Sequence, residues 1–147
     1  MVVPQLQRLG SYAWITARDH VLLSLLNRGP NRGKLSLVGG GIEFGESPRE
    51  ALKREVWEEA GIELTAECTA EAKLLEVFHH QYDNQIQFFG IIHQVELPEM
   101  LPCKTTGDGS SSDGTGWFLI SDLKAAEINP SVIKVIHLLG IKLKFPI

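Results

Sequence analysis

The amino-acid sequence predicts an α/β fold in which helices cover a β-sheet. Two observations lead to this class: strand-like segments lie on both sides of one strongly capped helix, and a further helix follows the last strand. The 147 residues suit one domain of ordinary size, so we expect a single domain over residues 1–147. With 44% hydrophobic and 22% charged residues, the composition excludes disordered and fibrous proteins.

Three strands are predicted in the first part of the chain. Residues 11–17 and 21–26 are apolar and rich in β-formers, with a short polar turn between them. Glycine, proline and asparagine predict a loop over residues 27–34. A short apolar run at residues 35–38 then leads into three consecutive glycines at 39–41.

The strongest helix signal begins at Ser47. Ser47 suits the N-cap, Pro48 suits the first helical position, and Glu50 completes a capping box. Strong helix formers follow, and Gly61 is a typical C-terminal stop. The sequence therefore predicts a helix over residues 48–60.

The second half of the chain predicts more strands and a final helix. β-Formers dominate residues 71–80 and 85–97, and the polar residues between them suit a hairpin turn. Residues 97–116 are rich in turn formers, and we expect the glycine-rich stretch 107–116 to be mobile. The remaining predicted elements are a strand at 117–120, a helical turn capped by Ser121, and a last helix from Asn129 to about Leu139.

Charge and cysteine content limit the classes of function. The chain has 14 Lys and Arg residues against 18 Asp and Glu, a net charge of −4. This balance argues against general nucleic-acid binding, which depends on a basic surface, but not against small anionic ligands held through a divalent cation. Cys68 and Cys103 show no metal-binding spacing, and we expect free thiols. We see no secretory signal and no apolar run long enough to span a membrane, and therefore expect a cytoplasmic protein.

Three glutamates share one side of the predicted helix. Glu55, Glu58 and Glu59 stand at i, i+3 and i+4, so their side chains project in similar directions. A neighbouring apolar stripe is expected to face the core: Leu52, Val56 and Ala60. Like charges at these spacings repel, and the helix dipole disfavours anions near the C-terminus. Taken alone, the cluster fits either a metal-binding face or a solvated acidic face.

The residues around these glutamates follow a longer pattern, G-x5-E-x7-R-E-U-x-E-E-x-G-U, where U is a bulky aliphatic residue. All nine specified positions are filled: Gly40, Glu46, Arg54, Glu55, Val56, Glu58, Glu59, Gly61 and Ile62. This is the Nudix box, and the chain resembles the Nudix hydrolase family. The resemblance implies an α/β/α sandwich with a mixed β-sheet. It also implies an enzyme that hydrolyses nucleoside diphosphates linked to another moiety.

The resemblance also assigns roles within the box. It implies that the metal ligands are Glu55, Glu58, Glu59 and the carbonyl of Gly39. Glu55 is alternatively the general base, while Glu46 and Arg54 are supporting catalytic residues. Carboxylate oxygens suit Mg²⁺, with Mn²⁺ as a substitute, and such an ion screens phosphate charge and activates water.

Further candidates lie outside the box. Some loop cations precede the glycine-rich turn and suit contacts with substrate phosphates, although charged loop residues are usually only solvated: Arg28, Arg32 and Lys34. Many members of the family use one more acidic residue beyond the box, and the sequence does not choose among the candidates: Glu96, Glu99 and Asp113.

The substrate is less well determined by the sequence. Markers of family members that act on ADP-ribose, dinucleoside polyphosphates or NADH are mostly missing, and the short chain resembles MutT-like enzymes. We expect a (d)NTP pyrophosphohydrolase that releases NMP and pyrophosphate. The alternatives are an ADP-ribose or nucleotide-sugar hydrolase, and a non-catalytic nucleotide-binding module. A homodimer is also compatible with the sequence, because the apolar residues 141–147 suit either a partner or the chain's own core.

Overall fold

A mixed six-stranded sheet lies at the centre of the computed structural model, which describes residues 3–109 and 112–147. The strands are β1 (Leu6–Ala17), β2 (His20–Leu26), β3 (Leu35–Gly41), β4 (Lys73–Gln81), β5 (Ile86–Leu97) and β6 (Ser112–Leu119). The helices are α1 (Pro48–Ala60), α2 (Ala66–Glu71) and α3 (Pro130–Leu138), with 3-10 turns at Ile120–Asp122 and Ala125–Glu127. The strand order is β4-β5-β1-β3-β2-β6.

Strand β1 organises the sheet because it pairs with three neighbours. It runs parallel to β5 over its whole length, from the pair Leu6–Ile86 to the pair Ala17–Leu97. On its other side it pairs antiparallel first with β3 and then with β2. This change of partner places the glycines at the end of β3 beside the middle of β1, where Tyr12 faces Gly39 across the pair.

Alternation along β1 divides the apolar residues between two cores. Ala13, Ile15 and Ala17 are fully buried on one face of the sheet, in a cluster that also holds apolar residues of α1. Trp14 points to the other face and packs in a cluster with residues of α3. Helices therefore cover both faces, and the predicted α/β/α sandwich with a mixed sheet is confirmed.

Helix α1 coincides with the helix predicted over residues 48–60. The last helix, α3, also begins as predicted, because the Asn129 side chain accepts hydrogen bonds from the first backbone amides. The strands run further than predicted, most clearly β1, whose first five residues lie outside the predicted strand. Those residues show little apolar alternation, and their strand conformation depends on backbone pairing with β5.

The structure differs from the sequence predictions at three places. Helix α2 was not predicted; Thr65 caps it, and Arg49 of α1 donates a hydrogen bond of 2.5 Å to the Thr69 carbonyl. Ser121 does not cap a helical turn but lies inside one that lacks a side-chain cap. Within the stretch 107–116, strand β6 already begins at Ser112, whose hydroxyl lies 2.7 Å from that of Ser24 in the interior. Ser110 and Ser111 fall outside the described residues.

Both cysteines are free thiols in this structure. Near the C-terminus, Ile141 and Leu143 pack against the core on the α3 side, whereas Phe145 and Ile147 stay largely exposed. Within the described residues, no helix has the length and apolar character needed to cross a membrane.

One buried histidine joins β5 to β1, the strand that pairs with the glycines of β3. His93 of β5 is nearly inaccessible, and its Nδ1 lies 3.2 Å from the Tyr12 carbonyl, to which it donates. Burial, together with the nearby Arg49 charge, holds the pKa of His93 below its ordinary value of 6.5. The folded protein therefore favours the neutral imidazole of His93. In the unfolded chain this side chain takes up a proton at a higher pH than in the folded protein.

We expect His93 to make the protein less stable as the pH falls below about 6.5, because the unfolded state then binds more protons. The free energy of unfolding is measured with denaturant between about pH 7.5 and about pH 5. It should decrease less over this range for His93→Asn than for the natural chain. His137→Asn, at an exposed position, is the matched control. An NMR titration that placed the His93 pKa at or above 6.5 would contradict this prediction.

Candidate active site

Helix α1 is held in one orientation by its ends and by its apolar stripe. The Ser47 hydroxyl accepts a hydrogen bond from the Glu50 amide at 3.1 Å, and Gly61 ends the helix in the left-handed region with φ of 67°. The buried residues of the helix face the sheet: Ala51, Leu52, Val56, Glu59 and Ala60. Because the apolar stripe is fixed against β1 and β3, the adjoining side of α1 brings its glutamates to the glycines at the end of β3.

Glu59 is the most deeply placed of the three glutamates, with only 5% of the residue exposed. Its Oε1 accepts a hydrogen bond of 3.1 Å from the Gly39 amide. Burial raises the pKa of Glu59 to about 7, with smaller contributions from the charges of Glu55 and Asp108. A carboxylate in this position gains strongly from a nearby positive charge, because water does little to stabilise its ionised form.

Glu55 reaches the backbone of the next glycine. A Cβ atom on Gly40 would lie 2.5 Å from the Glu55 carboxyl carbon and 2.6 Å from each of its oxygens. Only glycine therefore lets this carboxylate approach the strand so closely. Burial also raises the pKa of Glu55, although its hydrogen bond from Arg54 acts in the opposite direction.

Arg54 joins the loop after β3 to the acidic side of α1. Its Nε and Nη2 donate to the two oxygens of Glu46 at 2.8 and 2.9 Å, a bidentate pair, and Nη2 also donates to the Gly41 carbonyl at 2.9 Å. Its Nη1 lies 3.0 Å from Glu55 and 3.3 Å from Glu58. The guanidinium lowers the pKa of Glu46 to about 2, so Glu46 is a permanent anion at neutral pH.

The carboxylates described above have the chemistry to bind a divalent cation. Glu55, Glu58 and Glu59 offer hard oxygen ligands, and the glycines beside them leave the backbone accessible. In residues 3–109 and 112–147, no three acidic, histidine or cysteine side chains converge on a single point as a complete metal site. Glu55 and Glu58 instead turn towards Arg54, and Glu59 turns towards the Gly39 amide. The ligand assignments, including the Gly39 carbonyl, stay predictions.

A cleft of about 600 Å³ opens beside these residues. Its lining combines carboxylates, cations and bare backbone: Arg28, Gly39, Gly40, Gly41, Glu55, Trp57, Glu58, Gly61, Lys104 and Asp108. The cleft can therefore accommodate an anionic ligand of nucleotide size between the acidic face of α1 and two cationic side chains.

The phosphate-binding candidates are not all at the cleft. Arg28 lines it, whereas Arg32 and Lys34 are absent from its lining in the described part of the chain. The backbone of Lys34 closes the turn between β2 and β3, accepting from the Leu26 amide at 3.0 Å. Contacts of these three residues with substrate stay predictions.

Asp108 is a further acidic residue near the glutamates, and the sequence did not suggest it. It lines the cleft, accepts a hydrogen bond of 3.1 Å from the Ser112 amide, and raises the pKa of both Glu55 and Glu59. The sequence candidates are exposed and lie elsewhere: Glu96 on β5, Glu99 after it, and Asp113, which accepts from Asn27 at 3.0 Å. No local pattern distinguishes Asp108 from other acidic residues in glycine-rich turns.

Substitution of Gly40 tests the close approach of Glu55. We expect Gly40→Ala to displace the Glu55 carboxylate and to weaken Mn²⁺ binding by about tenfold or more, while the fold persists because a flexible side chain can move aside. Gly41→Ala is the matched control, since its new Cβ would meet only the Leu9 carbonyl oxygen, at 4.0 Å. Free Mn²⁺ measured by electron paramagnetic resonance reports the affinity. Equal affinities for both variants would contradict the proposed position of Glu55.

Comparison with known proteins agrees with this geometry. The NUDIX domain family model matches residues 6–139. The 8-oxo-dGTP diphosphatase of Haemophilus influenzae is 30% identical over 107 residues, covering 70% of this chain and 68% of that protein. The nucleoside triphosphatase NudI of Salmonella schwarzengrund is 42% identical over 64 residues, covering 44% of this chain. That match spans only 40% of the length of NudI.

Solved structures show the same fold. A MutT NUDIX hydrolase from Burkholderia pseudomallei superimposes with a TM-score of 0.73 and 24% sequence identity. The superposition covers 94% of this chain and 100% of that protein. Four residues of the box line the cleft: Gly40, Glu55, Glu58 and Gly61. Because the domain model matches residues 6–139, the chain belongs to the Nudix hydrolase family.

Proposed function

We propose that this protein is a pyrophosphohydrolase. It acts on nucleoside or deoxynucleoside triphosphates, written (d)NTPs, and releases NMP and pyrophosphate. The observation that carries the proposal is the position of Glu55 and Glu58 along a cleft that also contains the bare backbone of Gly39–Gly41 and two cations, with Glu59 buried beside Gly39. The choice of nucleoside triphosphate is supported by two relatives whose names describe a nucleoside triphosphatase and an 8-oxo-dGTP diphosphatase.

The proposed cofactor is Mg²⁺, with Mn²⁺ as a substitute. The residues that would hold it are Glu55, Glu58, Glu59 and the Gly39 carbonyl. A bound divalent ion supplies positive charge that screens the phosphates and activates water. The carboxylate of Glu59 fits such an ion, because burial raises its pKa to about 7 and a nearby positive charge would stabilise its ionised form.

The other box residues support this arrangement. Arg54 binds Glu46, the Gly41 carbonyl and Glu55 at once, so it fixes the loop after β3 against α1. This contact keeps the glycine backbone and the carboxylates at a constant separation, which in-line attack on a phosphate requires. Arg54 and Glu46 therefore act as positioning residues in the proposed mechanism.

We also propose the domain organisation, location and partners of the protein. Residues 1–147 form one Nudix domain that works in the cytoplasm on small nucleotides. The net charge of −4 disfavours general nucleic-acid binding, and we propose no membrane partner. The exposed apolar residues Phe145 and Ile147 are compatible with a homodimer.

A product assay tests the proposed reaction. Canonical and oxidised (d)NTPs, ADP-ribose, diadenosine polyphosphates and nucleotide sugars are incubated with the protein, with and without Mg²⁺, and products are separated by chromatography. We expect Mg²⁺-dependent release of NMP and pyrophosphate from at least one (d)NTP. Cleavage confined to ADP-ribose or nucleotide sugars would overturn the substrate class. Nucleotide binding without any Mg²⁺-dependent product would indicate a non-catalytic binding module.

Replacement of one glutamate tests the assigned residues. We expect Glu59→Gln to lower kcat roughly 10²–10⁴-fold, because the amide cannot supply an anionic oxygen beside Gly39. Glu50→Gln is the matched control: it lies on the same helix, is exposed and is outside the cleft lining. Circular dichroism during heating establishes that both variants are folded. A folded Glu59→Gln protein with natural activity would refute the site assignment.

A further inference from the structure

The cleft extends beyond the carboxylates towards the C-terminal end of α1. Glu55 and Gly61 both line it and stand six residues apart on the helix, which corresponds to about 9 Å along the axis. The glycines of β3 lie at the Glu55 end, whereas Trp57, Gly61 and Lys104 extend the lining away from it. A ligand that fills the cleft therefore contacts one set of residues at its reacting atoms and another set further along.

Lys104 is held firmly at this second end. Its amide donates to the Ala60 carbonyl at 2.7 Å, and its carbonyl accepts from the Thr115 amide at 2.9 Å and the Thr115 hydroxyl at 2.7 Å. These bonds attach the segment before β6 to the last turn of α1. Lys104 thus projects from a fixed backbone position, and its ammonium lies 3.4 Å from the Glu58 carbonyl.

The charge of Lys104 is not neutralised by the protein. Within the described residues Lys104 forms no ion pair with a carboxylate, and the same holds for Arg28, the other cation of the cleft. Arg54, by contrast, is fully engaged by Glu46, Glu55 and Glu58. Two cations that have no carboxylate partner among the described residues favour, in one cleft, a ligand that brings its own negative charges.

We propose that Lys104 binds the pyrophosphate portion of the substrate, with Arg28 as the second cation, and so favours substrates with a free polyphosphate chain. The inference rests on the proposed function, which places the reacting phosphate beside Glu55 and the β3 glycines. The proposal takes the α-phosphate as the reacting group, so the remaining charge of a nucleoside triphosphate lies on the pyrophosphate side, since the nucleoside is neutral. A cation at the far end of the cleft therefore matches the pyrophosphate better than it matches the sugar or base.

Trp57 offers a direct probe of this end of the cleft. Its exposed fraction is 59%, whereas Trp14 is only 1% exposed and the Trp117 indole N–H donates to the Leu101 carbonyl at 2.8 Å. A ligand held by Lys104 should therefore change the emission of Trp57 more than that of the other two tryptophans. This signal measures binding without requiring turnover.

The experiment compares Lys104→Met, Lys104→Arg and the control Lys53→Met, which removes an exposed charge on α1 outside the cleft lining. With Mg²⁺ present, we expect Lys104→Met to raise the Kd of inorganic pyrophosphate, measured by calorimetry, about tenfold or more. The KM for a cleaved (d)NTP should rise similarly, with kcat changed by less than about threefold. Lys104→Arg should restore most of the affinity, and Lys53→Met should resemble the natural protein.

The emission change on pyrophosphate addition should be present in the natural protein and lost in Trp57→Phe. Unchanged pyrophosphate affinity in Lys104→Met would overturn the inference while leaving the proposed hydrolysis intact. A lowered Tm in Lys104→Met, with no rescue of affinity by arginine, would assign Lys104 a structural role at the helix end instead. Absence of any turnover by the natural protein would refute the proposed function, yet the calorimetric comparison would still test Lys104.

Discussion

The arrangement of this site depends on one guanidinium group. Glu55, Glu58 and Glu59 stand at spacings where like charges repel, and they occupy the half of α1 where the helix dipole disfavours anions. Arg54 offsets this repulsion because it contacts two of the three glutamates. It also donates hydrogen bonds to both carboxylate oxygens of Glu46. Because the same group binds the Gly41 carbonyl, charge compensation and backbone position are coupled. A lysine could not replace these bonds, since it lacks the planar fork.

The two cores give this arrangement its rigid base. Helix α1 cannot rotate about its axis without withdrawing Leu52 and Val56 from a fully buried position against β1 and β3. Each such side chain contributes about 1.5–3 kcal/mol by burial, more than the repulsion between neighbouring glutamates opposes. The hydrophobic packing of one face therefore determines where the acidic face points, and the glycines of β3 complete the approach.

The cleft has an unequal distribution of charge along its length. At one end lie carboxylates with raised pKa values, beside backbone that carries no side chains. At the other end lie a lysine on a fixed backbone and a largely exposed tryptophan. A divalent cation at the first end would offset the carboxylates there, so that this ion and the two cationic side chains together would attract a polyphosphate.

Local signals in the sequence were sufficient for much of this protein. The caps at Ser47 and Gly61 determined the limits of α1, and the spacing of the box residues determined which carboxylates share its acidic side. These properties follow from helix geometry and from backbone bonds within a few residues, so they can be predicted without knowledge of the fold.

Only the tertiary structure decided which distant residues join the cleft. Asp108 and Lys104 lie more than forty residues from Glu58 in the sequence, and they reach the cleft because backbone bonds attach their segment to the end of α1 and to β6. Helix α2 and the first half of β1 depend in the same way on partners far along the chain, Arg49 and β5. The sequence by itself determined helix α1 and its acidic side. The depth of Glu59 and the far end of the cleft were decided by long-range packing, because burial and opposing charges arise only where separate segments meet.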